Sequence, residues 1–196
     1  MSKFNDKTER GFSLVEALVA VVVLSVGLLA AAMLMSRTFT TSVESKDMSI
    51  ATLLCSEKLE DLARYPSADA HVNAGGGVVG DLNNDVVQNV TVGLVTSTIN
   101  YFDDVFINTG MGTLSETRTG LDPVSGSPNF TQTEVAADGT VTTTVSAGNP
   151  PGQPTFKRRW MIEDNQPIPG LKRITVRVIA MTGTRPATFQ MTMVRP

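Results

Sequence analysis

The sequence predicts an α+β chain: one long N-terminal α-helix with a transmembrane first half, packed on a C-terminal antiparallel β-sheet head. Three observations lead there. Ala17 to Ser36 is twenty residues without a charge, followed by Arg37 to Arg64 without Pro or Gly. The last quarter alternates apolar and polar residues, most clearly over Leu171–Ala180. A long helix with one apolar stripe and a sheet with one apolar face bury each other.

The uncharged run comes first. Twenty residues at the helical rise span roughly 30 Å, the hydrocarbon thickness of a bilayer. No later stretch approaches this, which excludes a polytopic membrane protein, and 41% apolar composition excludes a disordered chain. Met1 to Gly11 is short and polar, with Lys3, Lys7 and Arg10 against Asp6 and Glu9. Such a leader places the N-terminus in the cytoplasm and the bulk of the chain outside it. A secretory signal would end its apolar core at a small-residue cleavage site, and Ala30-Ala31-Ala32 offers one. Against this, the run is long for a signal core and opens with Glu16, a carboxylate that is costly in lipid and marks function.

Gly11-Phe12-Ser13-Leu14-Val15-Glu16, ahead of the uncharged run, resembles the processing motif of type IV prepilins. The resemblance implies a pilin-like fold, cleavage by prepilin peptidase between Gly11 and Phe12, and N-methylation of Phe12. It makes Glu16 the assembly residue, paired with the positive N-terminus of a neighbouring subunit. A glycine lets the peptidase approach the backbone closely. Removing one partner of a buried ion pair is strongly unfavourable, so such a pair sets register between subunits. The implied partners are the peptidase, other pilins and minor pilins, an inner-membrane assembly platform and membrane lipid. The implied location is the bacterial inner membrane, single-pass, and then the pilus at the cell surface.

The expected organisation is a leader over 1–11, a transmembrane or filament-core helix over 12–36, an amphipathic helix half over 37–65, and a β-rich head over 66–196. The helix would run from Phe12 to Arg64, roughly 80 Å, with Gly27 as its weak point; the family's helix-breaking proline is absent from this region. Ile50, Leu53, Leu54, Leu59 and Leu62 recur at helical spacing as a stripe for the head, with Lys58, Glu60 and Arg64 on a solvated face. Tyr65-Pro66 stops the helix, because a residue before proline is pushed out of the helical region. Cys55 is alone and reads as a small buried hydrophobe.

In the head, Ala74 to Gly77 is a turn. Asp81, Asn83 and Asp85 alternate like a calcium loop, but lack its glycine and its distal acid, so an Asx-rich turn is the better reading. Val86–Ile99 and Tyr101–Ile107 read as strands, Gly120–Thr131 as loop, and Asp138-Gly139 as a hairpin turn between Glu134–Ala136 and Thr140–Val145. Phe156–Ile162, Leu171–Ala180 and Ala187–Val194 are the tail strands, the last two joined by a turn at Thr182-Gly183-Thr184. Ile168-Pro169-Gly170-Leu171-Lys172-Arg173-Ile174 resembles the tail of minor pilins of the type IV pilus modification protein V kind.

Charge divides along the head. Tyr65–Pro150 holds nine acidic residues against Arg118, and Pro151–Pro196 holds eight basic residues against Glu163 and Asp164. Mutual neutralisation within one domain is the favoured reading; charge complementarity between copies and a nucleic-acid patch are the others. Lys157, Arg158, Arg159, Arg173 and Arg177 would form the patch, but alternation sends Arg158 to the opposite side of its strand. The one histidine, His71, reads as a loop residue. With one His, one Cys and no phosphate loop or metal-ligand cluster, no enzyme, metal site or cofactor is expected. The expected function is a minor pilin of a type IV pilus, with a minor pseudopilin of a type II secretion system as the alternative. A membrane-tethered binding module or enzyme ranks below both.

Overall fold

The computed structural model describes residues 13–110, 113–122, 124–182 and 186–196. The leader, Gly11, Phe12 and the turn at Gly183-Thr184 lie outside the described residues. One helix, α1 (Leu14–Arg64), is followed by ten strands: β1 (Val78–Gly80), β2 (Val87–Val92), β3 (Val95–Asn100), β4 (Phe102–Gly110), β5 (Thr113–Leu121), β6 (Pro128–Val135), β7 (Val141–Ala147), β8 (Phe156–Asp164), β9 (Lys172–Ala180) and β10 (Thr188–Arg195). Two compact units result, one up to Val43 and the other from Glu44 to Pro196.

In the second unit the main sheet runs β10-β9-β8-β4-β5-β6-β7, with β1 also on β8, and β2 and β3 form a separate hairpin. All pairings are antiparallel. β1 takes the edge of β8 at Met161–Glu163, just past the stretch that β4 occupies. Gly80 sits at that junction with φ 78°, and a Cβ there would lie 2.3 Å from the Trp160 carbonyl. Only glycine fits so close an approach.

The core forms where the last turns of α1 meet the centre of the sheet. Ala51, Leu54, Cys55, Leu59 and Leu62 are buried in one cluster with Phe156, Trp160 and Ile162 of β8 and Ile174, Val176, Val178 and Ala180 of β9. The strand residues share a face because their register pairs Phe156 with Ala180, Trp160 with Val176 and Ile162 with Ile174. Phe189, Met191 and Met193 of β10 join that cluster, as their spacing predicts. Cys55 is fully buried, with its Sγ 3.7 Å from the Val176 carbonyl oxygen.

Four expectations change. Leu53 is 67% exposed, and Ala51 takes the core position assigned to it. Ala51, Leu54, Cys55, Leu59 and Leu62 keep three- and four-residue steps, whereas Leu53 lies about 100° away from Leu54 around the helix. Lys58 leaves the solvated face, with its ammonium 4.0 Å from the centre of the Trp160 ring. Val86–Ile99 is a hairpin, turned at Gly93-Leu94 where Gly93 has φ 64°. The stretch read as loop over Gly120–Thr131 is strand at both ends, since β5 runs to Leu121 and pairs with β6 from Pro128, with the connecting turn between them. The Asp138-Gly139 hairpin forms between β6 and β7 as expected.

Candidate assembly site and its support

The first unit holds the candidate assembly residue. Helix α1 begins at Leu14, and the Ser13 carbonyl accepts from the Ala17 amide at 3.1 Å. Glu16 therefore lies in the first turn, where the positive end of the helix dipole favours a carboxylate. Every residue from 13 to 46 is exposed within this chain. Among the described residues, α1 is the one helix long and apolar enough to cross a membrane, and none of its most apolar window is buried. At about 25 cal/mol per Å², exposed leucines and valines over such a length demand cover. A helix apolar all round finds it in lipid or among other helices. Gly27 meets nothing within 4 Å among the described residues.

The second unit shows how the folded head grips its own stretch of α1. Arg158, 1% exposed, points from β8 to the helix side of the sheet. Its Nε and Nη2 donate to the two Asp103 carboxylate oxygens at 2.8 and 2.6 Å, and its Nη1 donates to the Leu54 carbonyl at 3.0 Å. Register brings the pair together, since Asp103 of β4 lies directly opposite Arg158 of β8. Burial pushes the Asp103 carboxyl up, and the Arg158 charge more than reverses this, holding it below the usual aspartate range. Arg118 adds a two-pronged contact to Glu57 on the helix at 2.7 and 2.8 Å, and also pairs with Glu116. Arg195 donates to the Leu62 carbonyl at 3.0 Å.

Part of the charge division is met by ion pairs inside the head. Arg158–Asp103 and Arg159–Asp85 join its basic and acidic parts at 2.6 Å each, while Arg173–Glu163 and Lys172–Asp164 close within the tail at the same distance. Arg158 lies on the opposite face from Arg159, as alternation predicts, so the five basic residues do not make one patch. The segment Asp81–Asp85 is the Asx turn expected of it. Asp81 Oδ1 accepts from the Asn83 amide at 2.8 Å, and Asn83 Oδ1 accepts from Arg177 at 2.5 Å. His71 is a loop residue, stacked on Tyr65 with ring centres 4.5 Å apart and Nδ1 2.7 Å from Asp69. No group of three or more His, Cys, Asp or Glu side chains is placed to hold a metal among the described residues.

An exposed apolar helix that opens on an acidic residue, continuous with a helix packed on an antiparallel sheet, defines a membrane-anchored α+β subunit built to pack with others. The family described as the prokaryotic N-terminal methylation motif matches residues 6–32, which takes in Gly11, Phe12 and Glu16. The chain is therefore type IV prepilin-like, a pilin-like or pseudopilin protein anchored in the inner membrane. The motif implies processing by prepilin peptidase and assembly with other pilins. Neither the curated proteins nor the solved structures give a significant match, and the motif stops well short of the tail at Ile168–Ile174.

Proposed function

We propose that the chain is a minor pilin of a type IV pilus. Prepilin peptidase cuts between Gly11 and Phe12, the new Phe12 amine is methylated, and the subunit enters the filament or primes its assembly. The leader stays on the cytoplasmic side and the head lies beyond the membrane. The observation that carries this reading is the wholly exposed apolar half of α1 with Glu16 in its first turn, inside the matched motif. Glu16 is neutralised by the N-terminal amine of a neighbouring subunit, which fixes how far one helix slides along the next. The role is structural rather than catalytic.

A minor pilin is favoured over a major one by the Thr-rich head, by the single cysteine, which leaves no disulfide to close a C-terminal loop, and by the tail resemblance. A minor pseudopilin of a type II secretion system is the second reading, because it uses the same anchor, cleavage and carboxylate. Glu16→Val tests the pairing. The variant is expected to be trimmed normally yet be recovered at least about tenfold less in sheared filaments, since a lone buried charge costs several kcal/mol. Wild-type recovery would contradict the pairing. Complementation of a strain lacking this subunit, scored for surface pili and for secretion, separates the two readings.

A further inference from the structure

Strand β7 closes one side of the main sheet, and its outer edge meets no other strand among the described residues. All of its residues except Ser146 are exposed. The Gly148 amide donates to the Pro128 carbonyl at 2.8 Å, and the Thr140 carbonyl accepts from the Ala136 amide at 2.9 Å. Hydrogen-bonded pairs recur at every second residue of an antiparallel ladder, so between these two points Thr142, Thr144 and Ser146 bond to β6. The N–H and C=O groups of Val141, Thr143, Val145 and Ala147 therefore point away from the sheet. Such an edge is ordinarily blunted by a charge, a proline or a bulge. Val141–Ala147 has no charge and no proline, and its register with β6 is unbroken.

Val141-Thr142-Thr143-Thr144-Val145 reads the same in both directions. A two-fold contact needs a surface complementary to itself, and an antiparallel strand pair centred on Thr143 supplies one. We propose that β7 pairs edge to edge with β7 of a second copy of this chain, joining the two main sheets across a two-fold axis at Thr143. In this register Thr143 lies opposite its own counterpart, Val141 opposite Val145, and Thr142 opposite Thr144. The outward groups of Val141, Thr143 and Val145 then make about six main-chain hydrogen bonds. Val141 and Val145 are 61% and 65% exposed, on the face that also carries Leu114 and Val135. Each gains a valine across the new strand pair, a contact that stabilises sheets. A single strand pair is small beside the roughly 1,600 Å² of a standard interface. Anchoring by α1 confines the copies to one bilayer and raises their effective concentration. The pairing needs neither cleavage at Gly11 nor the Glu16 contact, so its failure is distinct from a failure of the filament reading.

Thr143→Cys tests the axis, because a hydrogen-bonded strand pair holds opposite Cα atoms about 5.5 Å apart, within reach of a disulfide. The full-length chain is produced in membranes without other pilins, treated with a mild oxidant and resolved as monomer or dimer on a non-reducing gel. Cys55, the one native cysteine, is fully buried, so the unsubstituted chain sets the background. Thr143→Cys should give a disulfide dimer. Thr144→Cys should give at least about tenfold less, since its two copies lie beyond the ~7 Å that a disulfide spans. Adding Val145→Pro to Thr143→Cys should lower the dimer yield by about tenfold or more, because an outward donor is lost. That proline leaves the β6–β7 ladder whole, and circular dichroism checks that the head is folded. If it is not, Val145→Lys supplies the same comparison by placing a charge on the edge. Equal dimer from Thr143→Cys and Thr144→Cys, no dimer from Thr143→Cys, or a yield unchanged by the Val145 substitution in a folded head overturns the proposal. So does a disulfide to a different protein, read from the intact mass of the product.

Discussion

The two ends of α1 have opposite relations to the rest of the chain. From Ala51 to Leu62 the helix buries a stripe against β8, β9 and β10, and Arg158, Arg118 and Arg195 reach its carbonyls or side chains. From Leu14 through Lys46 no residue is buried at all. The head stretch is completed by this chain's own sheet, and nothing among the described residues buries the membrane stretch. Intramolecular stability and assembly are therefore written into different residues of one helix, and substitutions should separate them.

The largest effect is expected at the buried pair that secures the head. Asp103→Ala leaves the Arg158 charge buried with only Glu57, 3.8 Å away, as a carboxylate partner, a loss of about 3–5 kcal/mol. Urea unfolding followed by Trp160 emission should show it, and the double variant Asp103→Leu, Arg158→Met should recover most of the loss. Next is a matched pair of leucines. Leu54→Ala should cost the head about 2–5 kcal/mol, whereas Leu24→Ala, 64% exposed in this chain, should leave the head's unfolding midpoint in place. Equal effects from the two would break the comparison.

The smallest effect concerns Asp104, whose Oδ1 is buried without a hydrogen-bond partner among the described residues. Burial raises its pKa above the ordinary aspartate value. A carboxyl raised on folding disfavours the folded state once it ionises. Its stabilising share is full below the unfolded pKa and is lost as pH rises through the folded one. Asp104→Asn should therefore be as stable as wild type near pH 3 and more stable at pH 7, by about 1 kcal/mol. Thermal melts at the two pH values check both the sign and the size.

Much of this division was legible in the sequence. A charge-free run of bilayer length and a proline-bounded helix need no tertiary information, and the alternation in β9 and β10 announces which side is apolar. Alternation also turned Arg158 away from Arg159 correctly. It could not supply Asp103, because that partner depends on the register of β4 against β8, two strands more than fifty residues apart. Leu53 was misassigned because hydrophobicity alone ranks it above Ala51, while the tight approach of helix to sheet favours the smaller side chain. Lys58 reads as solvated because a charge in sequence points to water, whereas the ring that receives its ammonium, Trp160, comes from a strand about a hundred residues away. β5 and β6 were obscured by the Gly, Pro and Ser residues that crowd their connecting turn.

The most direct test of the whole account is the intact mass and N-terminal sequence of the membrane-extracted chain made together with prepilin peptidase. A mature protein beginning at methylated Phe12 is predicted, and Gly11 replaced by a bulky residue should leave the precursor uncut. A wild-type leader still in place, or an end near Ala30–Ala32, would contradict the assignment of this helix to a filament.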